Sequence, residues 1–290
     1  MIERVLGLLT AHGVQDVILV ASPDDPELVA HFRNHAGAVG RLQLVYQPER
    51  LGMAHALRCA AHLINGPFIL SACDNLVPVG DVGQLMATWS SASRPDAVLA
   101  LLPVEPDRLG SVGIVELDGP WVTRIVEKPG PDEAPSDVSS LPLYCFSTCV
   151  LDLLPEVAVS LRGEYEIQDA IQLLIERGGR VRGMLVQERM TLTHPADLLA
   201  INRHYLWEEG GVRVATETVG PGARFVAPVR IDAGVEVGAD STVGPAVYAE
   251  RGCAIGRAAR ICDSVILRGA VIADGAVLAG QVLSEQAVGE

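Results

Sequence analysis

Apolar and polar positions follow one another in two different rhythms along this chain, and the rhythm changes near residue 213. Before that point helical and strand spacings take turns. The spacing predicts a helix over residues 1–12 closed by Gly13, a buried parallel strand in "VQDVILVAS", a helix in "DPELVAHFRNH" and a strand in "LQLVYQ". A helix in "MAHALRCAAHL" and a strand in "PFILSA" come next, and "DVGQLMATW" and "DAVLALLPV" repeat the alternation. The sheet is expected to continue through "GIVEL" and "VTRIVEKP", with helices in "YEIQDAIQLLIERG" and "PADLLAINRHYL" closing the region. Residues 1–208 therefore read as an α/β domain of Rossmann-like type, in which ligands gather at the carboxyl ends of strands.

After that point the period is six. Val219, Phe225, Ile231, Val237, Val243, Ala249, Ile255 and Ile261 recur at that interval, with glycine directly after the apolar position at 220, 238, 244 and 256. One residue is then skipped, and the register resumes at Ile266, Ile272 and Leu278. An aliphatic corner every six residues is the mark of a parallel β-helix, whose coils stack their inward side chains on one another. Residues 209–290 are expected to form about four such coils, at three hexads per coil. The pattern stops at "AVGE" without a polar cap, so a second chain is expected over the last coil.

Composition narrows the chemistry. A length of 290 residues is enough for two cores. No apolar run reaches the ~18 residues that a spanning helix needs, and "MIERVLGLLTAHG" has no signal-peptide cleavage pattern, so the cytoplasm is the expected compartment. Cys59, Cys73, Cys145, Cys149, Cys253 and Cys262 lack paired spacing and are read as buried thiols. A net charge of -14 argues against a nucleic-acid polymer as partner and leaves room for a small anionic substrate met by a few local cations. His31 and His35 share a helical face, but "HFRNH" lacks the glutamate of a zinc-hydrolase helix.

Four places carry candidate chemistry. The loop "QPERLGMAHAL" links a strand to a helix and offers free N–H groups; Gly52 permits close approach there, or simply starts the helix, and Gln47 has a donor and an acceptor with which to read a nucleobase. Asp74 ends a strand, where a carboxylate either holds magnesium against phosphate oxygens or caps the loop. Of the 22 basic residues a single one, Lys128, is lysine, which suggests a place for a compact ammonium. Its neighbour Glu127 points to the opposite strand face, so a shared role needs a break in the pleat, for which Pro129 is the expected cause; otherwise the two are solvated charges.

In their order, "QPERLGMAHA", "ACDN", "SVGIVELDG", "IVEKP", "GEYEIQDAIQLLIERGG" and "PADLLAINR" resemble the sugar-1-phosphate nucleotidyltransferases. With the hexads behind them, the chain is similar to the long thymidylyl- and uridylyltransferases that carry a left-handed β-helix. The resemblance implies attack of a sugar-1-phosphate oxygen on the α-phosphorus of dTTP or UTP, with glucose-1-phosphate as the expected sugar and pyrophosphate as leaving group. It implies Gln47 and Gly52 at the base, Asp74 on Mg2+, Gly113 and Glu127 at sugar hydroxyls and Lys128 at the sugar phosphate, with Asp74 and Lys128 catalytic. Family members open on a strand and a G-x-G-x-R loop that grips the triphosphate, whereas "MIERVLGLL" resembles the helix after that loop. The expectation is that roughly 20–30 residues precede this start, without which the chain would be inactive. Thr191 stands where the family has a second metal-binding aspartate. The alternative expectation is a non-catalytic regulatory or scaffolding subunit paired with an intact homologue. Acyl transfer on the coils is disfavoured because no histidine follows His204. The coils are expected to support a homo-oligomer, such as a trimer or a dimer of trimers.

Overall fold

A computed structural model describes residues 1–34, 40–130 and 132–285. His35 and the closing "AVGE" lie outside the described residues. Contacts divide the chain into two compact units, Met1–Arg189 and Met190–Glu290. That division falls before the boundary read from the sequence, because the helix Pro195–Glu209 packs on strands of the coils.

In the first unit, α1 (Ile2–Thr10) precedes the parallel pair β1 (Asp16–Ala21) and β2 (Arg41–Tyr46), with α2 (Pro26–Asn34) between them. Leu6 and Phe32 are buried there against Val17, Leu19 and Leu42, a small core of its own. Next come α3 (Met53–Ala60), β3 (Phe68–Ser71), β4 (Asn75–Leu76), α4 (Val79–Trp89) and β5 (Ala97–Pro103). The hairpin β6 (Gly113–Asp118) and β7 (Trp121–Glu127) leads to β8 (Val138–Phe146), α5 (Cys149–Leu153), α6 (Ile167–Glu176) and β9 (Val181–Leu185). Six of these strands form one mixed sheet in the order β3-β8-β5-β9-β7-β6. Unlike the parallel pair β1–β2, β3 pairs antiparallel, with β8.

β8 went unread in the sequence, and the reason is visible in its register. Leu99 of β5 is opposite Tyr144 and Leu101 is opposite Ser140, so the ladder shifts where Pro142 sits. Proline cannot donate to a ladder and is tolerated in a central strand at such an irregularity. Around β8 lies the main core, where Leu99, Leu101, Tyr144, Phe146, Ile167 and Ile171 are essentially inaccessible. Cys145 and Cys253 are buried, as expected of inert thiols, whereas Cys73 is exposed. Among the described residues no helix is long and apolar enough to cross a membrane.

The second unit holds the two-residue strand Met190–Thr191, α7 (Pro195–Glu209) and the coils. α7 starts on a reciprocal cap, in which Asp197 accepts from the His194 amide at 2.8 Å and Pro195 takes the first turn. The coils form three parallel sheets. Their inward columns are the hexad positions: Phe225, Val243, Ile261 and Leu278 on one side, Ile231, Ala249, Ile266 and Leu283 on the next, Val237, Ile255 and Ile272 on the third. Glycine follows the corner because the coil above is close: a Cβ on Gly238 would lie 2.5 Å from the carbonyl carbon of Gly256. The skipped residue lies in the corner between Ile261 and Ile266. Between the paired positions Val243 and Val247 one coil turns through Gly244, Pro245 and Ala246, and between Ile261 and Ser264 the next turns through Cys262 and Asp263, the latter at φ 47°.

Candidate functional site

The β6–β7 hairpin places Gly113 directly opposite Glu127. A Cβ at Gly113 would sit 2.8 Å from Glu127 Oε2 and 3.1 Å from Gln168 Cγ, so glycine lets the carboxylate pack directly against the β6 backbone. Glu127 is 13% exposed, and its Oε2 is buried without a hydrogen-bond partner among the described residues. A buried acceptor left unpaired costs roughly 1–3 kcal/mol. Such a cost is retained where a ligand supplies the missing donor.

Lys128 follows in the left-handed region at φ 45°, which only glycine adopts freely. The pleat breaks at this residue, rather than at Pro129 as expected, and the backbone N–H of Lys128 donates to Val112 O at 3.1 Å. Through this turn the ammonium returns to the face of its neighbour, with Nζ 3.8 Å from Glu127 Oε1.

Two further residues complete the cluster, and sequence reasoning singled out neither. Arg162 Nη2 donates to Glu166 Oε1 at 2.7 Å and to Glu127 Oε1 at 3.3 Å. Glu166 is buried and also accepts from Ser160 Oγ at 2.9 Å. Burial, and after it the Glu166 carboxylate, pushes the Glu127 carboxyl above the usual carboxylate value, against the opposing pull of Lys128 and Arg162. Asp169 is pushed up by the same two causes in the same order. A small turn closed by the Val159–Tyr165 bridge delivers Arg162. The only sequence signal was an arginine beside the "GEYE" motif in a chain that uses arginine throughout.

On the other side of this turn lies the β2–α3 loop. Tyr165 N–H donates to Leu51 O at 2.8 Å, and Tyr165 O accepts from Ala54 N–H at 3.0 Å. Gly52, at φ 91°, lets them meet, since a Cβ there would lie 2.6 Å from Tyr165 O. Gln47 sits in this loop, but its donor is taken: Nε2 donates to Gly52 O and contacts His55 Nδ1, both at 3.0 Å. The expectation that Gln47 offers both donor and acceptor is thus corrected to acceptor alone.

Asp74 stands apart. It is exposed in the turn after β3, its Oδ1 accepts from Asn75 Nδ2 at 2.6 Å, and no hydrogen bond or ion pair joins it to either cluster among the described residues. Asn75 Oδ1 beside it is buried and unpartnered. Among the described residues no group of three metal-ligating side chains exists. One exposed carboxylate, with Asn75 on one oxygen and Arg189 within electrostatic reach, suits a magnesium ion bound mainly through a ligand's phosphates, and not a protein cage.

Residues 1–208 match the family model for nucleotidyl transferases, and residues 225–289 match the model of the GMPPB C-terminal domain. Glucose-1-phosphate thymidylyltransferase of Streptomyces antibioticus is 30% identical over 270 residues, covering 86% of this chain and 74% of that protein. The enzyme of the same name from Streptomyces griseus is 30% identical over 283 residues, covering 91% and 78%. A UDP-glucose pyrophosphorylase crystallised with UDP-glucose shares the fold at TM-score 0.58 and 19% identity, over 65% of this chain and 80% of that one.

Proposed function

The chain belongs to the nucleotidyl transferase family, and on that premise we propose that it transfers a nucleotidyl group from a nucleoside triphosphate to a sugar-1-phosphate, releasing pyrophosphate. The proposed substrates are glucose-1-phosphate with dTTP or UTP. The observation that carries the reading is the unpaired Glu127 Oε2 beneath Gly113, with two cationic groups on the same carboxylate. A sugar hydroxyl supplies the donor that Oε2 lacks, and Lys128 and Arg162 neutralise the sugar's phosphate. The same cations keep that phosphate close to the α-phosphorus it attacks, so that catalysis is chiefly positioning and charge neutralisation.

Gln47 and Gly52 line the proposed base site, which Tyr165 ties by its backbone to the turn carrying Arg162. Magnesium is proposed at Asp74, where it would draw charge from the triphosphate and ease departure of pyrophosphate. In the same reading residues 209–290 form a left-handed β-helix that serves assembly of a cytoplasmic homo-oligomer.

The test is pyrophosphate release from dTTP or UTP with glucose-1-phosphate and magnesium, followed by identification of the nucleotide-sugar. Asp74→Asn and Lys128→Ala are each expected to slow it by about a hundredfold or more. Binding of the sugar phosphate and nucleotide without pyrophosphate release would replace the catalytic reading with that of a sensing or scaffolding subunit.

A further inference from the structure

Gly52 O can only accept a hydrogen bond, so the Gln47 atom 3.0 Å from it must be the amide nitrogen. That same nitrogen is 3.0 Å from His55 Nδ1. Both amide hydrogens are therefore spent, and Nδ1 must carry the lone pair, with the imidazole proton on Nε2. The ring is held in place by stacking on Tyr165, at 5.9 Å between centroids and 27° between planes, while Arg58 lies over the same tyrosine at 5.0 Å. Gln47 keeps one unengaged polar atom, its carbonyl oxygen. Beside it, the first turn of α3 leaves backbone N–H groups without helical partners.

We propose that His55 is a positioning residue for base recognition: by taking one Gln47 amide hydrogen it fixes the carboxamide so that only an acceptor meets the base. This rests on the reading that the Gln47 loop holds the nucleobase. Uracil and thymine present an N3–H donor next to the O4 acceptor, which matches a carbonyl oxygen beside a backbone N–H. Cytosine presents the same two positions with donor and acceptor exchanged, and each mismatch leaves a buried polar group unpaired. His55 thereby sets selectivity without touching the base.

Nitrogen-15 NMR of the full chain labelled at histidine reads the tautomer directly, and the expected state of His55 at neutral pH is Nε2–H. An Nδ1–H tautomer would overturn the proposal whatever the protein binds. Calorimetric titration with UTP and with CTP, in magnesium, reads the consequence. The intact protein should favour UTP by tenfold or more, His55→Leu should lower that ratio by about tenfold, and His55→Asn, whose Oδ1 can accept in place of Nδ1, should restore it. An equal loss of affinity for both nucleotides in His55→Leu, with the ratio unchanged, would show a packing role and overturn the proposal. If the intact protein with the Nε2–H tautomer binds neither nucleotide, the base-site reading itself fails, and the selectivity role fails with it.

Discussion

The coils and the Glu127 cluster obey opposite rules. In the coils every stacked hexad position is aliphatic or aromatic, the columns stack in register, and charged groups such as Arg203 and Asp263 pair at the surface. Around Glu127, two carboxylates are withdrawn from water, one oxygen has no partner and a lysine occupies a left-handed conformation. The first arrangement minimises the free energy of the folded chain. The second accepts a cost in order to hold charges where a ligand will meet them, as strained and unpaired groups at functional sites do.

Four variants test that contrast, starting with the largest effect. Lys128→Ala should cost about 3–4 kcal/mol of transition-state stabilisation, a hundredfold to a thousandfold loss in kcat/KM, with little change in Tm; a large fall in Tm would mean that the cluster is structural. Ile255→Ala removes a side chain from the middle of an inward column and should lower stability by about 2–4 kcal/mol in denaturant titration. Its affinity for sugar phosphate, measured on the folded protein, should be unchanged.

Glu127→Gln should separate the two regions by sign. Because the Glu127 carboxyl is raised in the folded state, its contribution to stability is fully present below the unfolded value and is lost as pH rises through the folded one. Above the raised value the ionised group is a net cost, so the variant should melt higher there while losing sugar-phosphate affinity. In the unaltered protein that affinity should decline as pH falls through the raised value, and in Glu127→Gln the part of that decline set by Glu127 should be gone. The smallest effect is expected for Arg203→Ala. Its partly exposed pair with Asp263 is worth no more than about 1 kcal/mol, to be read from the shift in denaturation midpoint.

These regions also differed in how legible they were. The hexads could be read because one requirement, an apolar side chain on every corner, repeats often enough to outweigh local ambiguity. Lys128 could be read because it is chemically alone in the sequence, and Glu127 because it is adjacent. Arg162 and Glu166 could not, since what brings them to Glu127 is a turn whose closing bridge leaves no periodic trace. β8 was hidden for a related reason: Ser139, Ser140 and Pro142 contradict a buried strand locally, and only the shifted register against β5 reconciles them. Gln47 could be singled out in the sequence as a candidate, but not the use of its donor, because Gly52 O and His55 are met through folded geometry alone.

The shortened corner at Asp263 says something about how such a chain can lengthen. Neighbouring coils rise by one strand spacing, about 4.8 Å, and any insertion that is a whole turn leaves each column intact. A fractional insertion or deletion survives only at a corner, where, as at Asp263, a residue in the left-handed region restores the phase before the next column begins. The coil region is in this sense written in words of fixed length, with its corners as the places where a copying error can be absorbed.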